Sequence, residues 1–221
     1  DRISVAKKLP KYVKETKEII PFVKQWMQGQ ESRFQRKVLK LFEGAGVDKR
    51  YSIMDAEEVF LNTSFEEKNN IYIKEVTKLA EQSLLKSLKK ARLQTTDIDY
   101  IVTVSCTGIM IPSVDAYLIN SLQMRQDIVR LPVTEMGCVA GISGIIYAKN
   151  FLKSNPNKRA AIVSVEAATA TFQMEDYSMA NIVSAAIFGD GAASVILSSF
   201  EEDEGPIIRD EAMYHFYDSI D

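Results

Sequence analysis

The chain has 221 residues, 46% of them hydrophobic, with a formal net charge of −3 and a pI near 5.4. That length buries a substantial core as one domain or two small ones, and the mild acidity supplies no general attraction to nucleic acid or to an anionic membrane surface. No run approaches the ~20 apolar residues of a membrane span, and the cysteine pair Cys106 and Cys138, 32 positions apart, makes neither a metal-ligand pattern nor a disulfide framework, which predicts a reducing, cytoplasmic setting and no metal centre.

From Asp1 to Gln30 a basic, amphipathic pattern places Val13, Ile19, Ile20, Phe22, Val23 and Trp26 among lysines and glutamates, and Pro10 and Pro21 divide it into short predicted helices. It lacks the apolar core of a signal peptide, and it starts at Asp1 rather than Met, as expected of a chain trimmed at that end. A second helix is predicted over roughly Ser32 to Glu43, stopped by Gly44 and Gly46, with Arg33, Arg36, Lys37 and Lys40 on its exposed face. Ser64-Phe65-Glu66-Glu67 fits a capping box that opens a long helix to about Arg92, buried along Ile71, Ile73, Val76, Leu79, Leu84 and Leu88. Ile98 to Val104 and Ala160 to Ala168 read as apolar strands, as does a buried strand of Ile128, Val129, Leu131 and Val133. Val139, Ile142, Ile145, Ile146 and Leu152 then recur at helical spacing. Gly189-Asp190-Gly191 is a turn leading into a strand, Ala192 to Ser198, and a last strand is expected around Pro206 to Tyr217. Continuous apolar runs between helices predict a layered α/β fold with its sheet covered on both faces.

The strand-to-helix junction at Cys138 is the most informative feature for chemistry. A thiol on the first turn of a helix faces unpaired N–H groups and the positive end of the helix dipole, and both favour the nucleophilic thiolate. Gly137 eases the turn, while Gly141 and Gly144 permit close backbone approach, useful for an oxyanion site and equally for tight helix packing. Taken locally, a free cysteine is more often a small core residue, and the same bland reading applies to Cys106 near Gly108. The single histidine, His215, lies in the alternating segment Ala212 to Tyr217 and reads as a strand or surface residue, so no Cys-His unit is visible. Glu166, in an otherwise apolar strand, reads first as a hydrogen-bonded structural carboxylate. The Gly-Asp-Gly run is too short for a phosphate loop.

Taken together, SCTGIMIPS around Thr107, Gly108 and Pro112, the GCVAG run at Gly137 to Gly141, EAATATF from Glu166 to Phe172, and FGDGAA from Phe188 to Ala193 resemble type III polyketide synthases, the chalcone and stilbene synthase family, and more closely its bacterial members. Order and separations match from about Lys37 onward. The resemblance implies the N-terminal half of a thiolase-like fold over residues 1–221, a mixed sheet covered by helices, with the C-terminal half absent. It implies an acyltransferase that loads a starter acyl group from coenzyme A onto Cys138 and extends it with malonyl-CoA by decarboxylative Claisen condensation. Coenzyme A thioesters are then substrates, with no permanently bound cofactor, and the full-length protein is expected to be a homodimer. Carried over by motif, Phe188 is the gatekeeper between coenzyme A tunnel and cavity, and Cys106, Thr107 and Thr171 shape the cavity. Ile111 reaches across the dimer, and Lys37 and Lys40 contact the coenzyme A phosphates. A third basic position falls on Gly44. The family's catalytic His and Asn lie beyond residue 221, so the chain alone is expected to be inactive. Another coenzyme A condensing enzyme, such as a ketoacyl synthase III-like protein, and a noncatalytic binding or dimerisation module are the alternatives.

Overall fold

The computed structural model describes residues 4–61 and 63–218. In chain order the elements are β1 (Ser4–Lys8), β2 (Tyr12–Glu15), α1 (Thr16–Trp26), α2 (Ser32–Gly44), β3 (Lys49–Ser52), α3 (Ala56–Val59), α4 (Phe65–Ala91), β4 (Tyr100–Val104), α5 (Val114–Ser121), β5 (Val129–Val133), α6 (Ala140–Ser154), β6 (Arg159–Ala167), α7 (Met179–Ile187) and β7 (Asp190–Ser198). A five-stranded sheet runs in the order β1-β7-β6-β4-β5, and β2 pairs with β3 apart from it. The sheet is mixed: β4 is parallel to β5 and β6, whereas β7 is antiparallel to β6 and β1.

Side chains that alternate along a strand face opposite sides of a sheet. Tyr100, Val102 and Val104 of β4 with Ala160 and Ile162 of β6 pack under Ala140, Ala148 and Leu152 of α6. On the opposite face Ile101, Ala161, Val163 and Val165 meet Val76, Leu79, Leu84 and Leu88 of α4. Gly144 allows the first contact, since a Cβ there would stand 3.2 Å from Ile162 and 3.3 Å from Val102. The predicted capping box opens α4: Glu67 N–H donates to Ser64 Oγ at 3.2 Å and Ser64 N–H to Glu67 Oε2 at 2.8 Å. A third cluster joins Val23, Trp26, Val38 and Phe42 of the N-terminal helices to Phe172, Ile182 and Ala186.

Five expectations are corrected. The N-terminal region opens with strands, and residues 1–3 lie outside the described part. Ser4–Lys8 pairs antiparallel with β7, an edge position whose exposed lysines carry no sequence signal of a strand. Pro21 does not divide its helix but sits inside α1, where burial of Val23 and Trp26 holds the helix together despite the missing N–H. The strand before Cys138 forms as expected, but only its last residue is buried, because β5 is the sheet edge and pairs on one side alone. Residues 206–216 form no strand, and Asp190 and Gly191 are the first residues of β7 rather than a turn.

Candidate active site

Parallel β4 and β6 end side by side, so the segments that follow them meet. Ser105 to Gly108 leaves β4, and the helical turn Ala168–Thr171 leaves β6. Glu166, one residue before the end of β6, stitches the two together. Its carboxylate accepts Cys106 N–H at 3.1 Å and the Thr107 backbone N–H and hydroxyl at 3.1 and 2.6 Å. Thr107 Oγ1 in turn accepts Ala167 N–H at 2.8 Å. The loop also needs Gly108, because a Cβ there would fall 2.3 Å from the ring of buried Tyr72, whose hydroxyl lies 2.5 Å from Ser105 Oγ.

Cys138 follows β5. Gly137 adopts φ +60° and starts a helical turn, Gly137–Val139, that runs directly into α6. No side chain caps the start of α6, so the N–H groups expected near the thiol are unspent by capping. Both cysteines are free and exposed. They also lie near each other. Local burial, the Glu166 charge and, more weakly, the Cys138 thiol push the Cys106 thiol up to about 11. Val139 and Ile142, next to Cys138 in the chain, are exposed apolar side chains, as are Ile109 and Ile111 in the segment after β4, Ile111 at 92%.

A cavity with about 80 Å³ of free volume is lined in part by the Ala168–Thr171 turn. Thr169, Thr171 and Phe172 form one wall, Ser52 and Met54 a second, and Ser184 and Phe188 of the α7 end a third. Thr171 and Phe188 therefore share this cavity, whereas Cys106, Thr107 and Cys138 do not line it. Thr171 Oγ1 donates to Ala168 O at 2.7 Å. Lys37 and Lys40 stand on the exposed face of α2, whose buried Phe42 reaches the cavity, and Ile111 stands free of it. Glu166 is the hydrogen-bonded carboxylate expected, and His215 is exposed with its ring against Tyr217.

Three residues in or behind the cavity wall were invisible in the sequence. Arg50 is buried, donates to Thr16 Oγ1 at 3.0 Å and to Ala186 O, and its Nε meets no acceptor. Burial lowers its pKa, as it does that of Lys68, which donates to Phe172 O at 2.5 Å. Asp190, read as part of a turn, is buried behind Thr169 and pushed up to about 6 by desolvation, against the pull of its hydrogen bonds from Thr169 and Ile53. Their partners come from residues 16 to 186, so no local pattern announces them. Among the described residues no cluster of metal-ligating side chains occurs, and no helix is long and apolar enough to cross a membrane.

Residues 3–200 match the family model "Chalcone and stilbene synthases, N-terminal domain". The chain is 29% identical over 175 residues to the phloroglucinol synthase of Pseudomonas fluorescens, covering 79% of this chain and 50% of that protein. It is 38% identical over 157 residues to a 1,3,6,8-tetrahydroxynaphthalene synthase of Streptomyces peucetius, covering 71% and 41%. The crystal structure of the Streptomyces coelicolor 1,3,6,8-tetrahydroxynaphthalene synthase, a bacterial type III polyketide synthase, superposes with a TM-score of 0.86 at 27% identity, covering 93% of this chain and 58% of that one. The chain spans about half the length of the curated relatives it matches. The mixed sheet between helix layers, the exposed cysteine at the head of α6 and the match over residues 3–200 lead to one assignment: this chain belongs to the chalcone and stilbene synthase family, as its N-terminal domain.

Proposed function

We propose that this chain is the nucleophile-bearing half of a type III polyketide synthase, and that Cys138 is acylated by a starter acyl-CoA. The observation that carries the reading is the exposed thiol at the uncapped head of α6, on a domain of this family. In the loading step Cys138 Sγ, as thiolate, adds to the thioester carbonyl. The tetrahedral intermediate then collapses with loss of coenzyme A thiolate, which takes up a proton, leaving a new thioester on Cys138. Backbone N–H groups at the head of α6 are suited to the transient oxyanion. Extension would follow by decarboxylation of malonyl-CoA and attack of its enolate on the Cys138 thioester, with groups beyond residue 221 stabilising that enolate. The chain by itself would therefore not extend.

The remaining assignments have separate support. Thr171 and Phe188 line one cavity, consistent with wall and gate of an acyl site. Glu166 holds Cys106 and Thr107, and the Cys106 thiol senses that of Cys138, which supports a place for this loop near the nucleophile. Lys37 and Lys40 offer exposed charge to the coenzyme A phosphates on the helix that also carries Phe42 to the cavity. Ile111 is almost fully exposed, as a side chain entering a second copy of the protein in a cytoplasmic homodimer would be before assembly.

The test is intact-protein mass spectrometry of the full-length protein after incubation with acyl-CoA. The expected result is one acyl adduct per chain that maps to Cys138 and disappears in Cys138→Ala. Acylation that survives this substitution, or that maps to Cys106, would overturn the assignment. Release of carbon dioxide from malonyl-CoA by the 221-residue chain alone would overturn the division of labour between halves.

A further inference from the structure

Asp190 is 5% exposed, and among the described residues no cation pairs with it. Its carboxylate instead takes three neutral hydrogen bonds: Ile53 N–H at 2.8 Å and the Thr169 hydroxyl on Oδ2, and Thr169 N–H at 3.0 Å on Oδ1. The contacts continue forward. Ser52 Oγ lies 3.3 Å from Thr169 Oγ1 and 2.6 Å from Met54 O, and accepts Met54 N–H at 3.1 Å. Ser52, Met54 and Thr169 all line the cavity, while Asp190 stands behind them and does not.

Two of the cavity's walls, residues 52–54 and 168–172, more than a hundred residues apart in the chain, are therefore joined through one carboxylate. Apolar packing alone is non-directional and would let these segments slide. A carboxylate that accepts from both fixes their separation, because hydrogen bonds impose distance and angle. Burying that charge without a cation is unfavourable, and the desolvation that raises its pKa is the sign of it. An asparagine could not replace it, since its amide nitrogen would face a backbone N–H donor on one side.

Building on the reading of this cavity as the acyl site, we propose that Asp190 is a positioning residue that sets the width of the cavity and thereby the acyl chain lengths the enzyme accepts. An acetyl group on Cys138 ends within a few bonds of a sulfur that does not line the cavity, so short acyl groups do not sense the wall. Longer chains do, and an apolar pocket discriminates by roughly tenfold or more per methylene.

The experiment measures kcat/KM for loading of Cys138 by acetyl-, hexanoyl- and decanoyl-CoA in the full-length protein. In Asp190→Asn the decanoyl-to-hexanoyl ratio should move by roughly tenfold, with acetyl loading unchanged. Thr169→Val should displace the ratio in the same direction, and Thr169→Ser, which keeps the hydroxyl, should displace it less. Profiles that superpose on the parent, or acetyl and decanoyl loading that fall together, overturn the proposal. Should Asp190→Asn fail to fold, the Thr169 pair decides it. If the unaltered protein takes no acyl group on Cys138 at any length, the acyl-site reading itself falls, a different result from an unchanged profile.

Discussion

Glu166 accepts the Cys106 N–H through both carboxylate oxygens at 3.1 Å, which puts a negative charge beside one of two neighbouring free thiols. With local burial acting in the same direction, Cys106 is pushed up to about 11. Because the thiolate is the reactive form, its fraction at neutral pH is very small and rises tenfold per pH unit until the pKa is reached. Iodoacetamide labelling followed by peptide mass spectrometry should therefore find Cys106 nearly inert at pH 7 to 8, with a rate still climbing at pH 10. A rate that reaches its plateau below pH 9 would contradict that environment. The same carboxylate shows where residue-level reading stops. That Glu166 is hydrogen-bonded could be anticipated from its apolar strand, but that its partners are Cys106 and Thr107, 60 and 59 positions away, depends on β4 and β6 lying parallel in register.

At the level of elements, α4 and the loop after β4 are fitted to each other most tightly at Tyr72 and Gly108, with Asn69 exchanging two hydrogen bonds with the Ile109 backbone beside them. Tyr72 of α4 is 1% exposed, and its ring occupies the space a side chain at residue 108 would need, the nearest approach being 2.3 Å. Gly108→Ala should displace either Tyr72 or the loop carrying Cys106 and Thr107, at a cost of about 1 to 3 kcal/mol. A thermal unfolding curve should show a Tm lower by several degrees, and Tyr72→Ala in the same chain should relieve part of the strain; additive losses would mean that the two positions do not clash. The long helix itself was legible, since Ser64 and Glu67 stand at the spacing of a capping box and the apolar stripe follows. The N-terminal strand was not. SVAKK has no apolar alternation of its own, and it becomes β1 only because β7 offers it a ladder from Ala192 to Ile196.

For the whole molecule the notable feature is where its apolar surface remains uncovered. Val139 and Ile142 at the head of α6 are exposed, as are Ile109 and Ile111 in the segment after β4 and Val129 of edge strand β5. Exposed apolar side chains grouped on a surface mark a place that another body covers. Relatives roughly twice as long as this chain make the remainder of a longer protein the proposed cover. The 221-residue chain should therefore bind the dye anilinonaphthalene sulfonate with strong fluorescence enhancement, and a protein extended through the family's second half should lose most of it. Equal enhancement by both would count against that cover.

The α/β layering, the long capped helix, the placement of Cys138 at a strand-to-helix junction and the family motifs were legible in the chain alone, because each depends on residues within a few positions of one another, where periodicity, capping and turn chemistry operate. Tertiary structure alone decided the β1 pairing, the edge position that leaves β5 exposed, the Glu166 link to Cys106 and the cavity wall held by Asp190. Those depend on which distant segments meet, and that is set by strand register and by the packing of both sheet faces, for which no local pattern is sufficient.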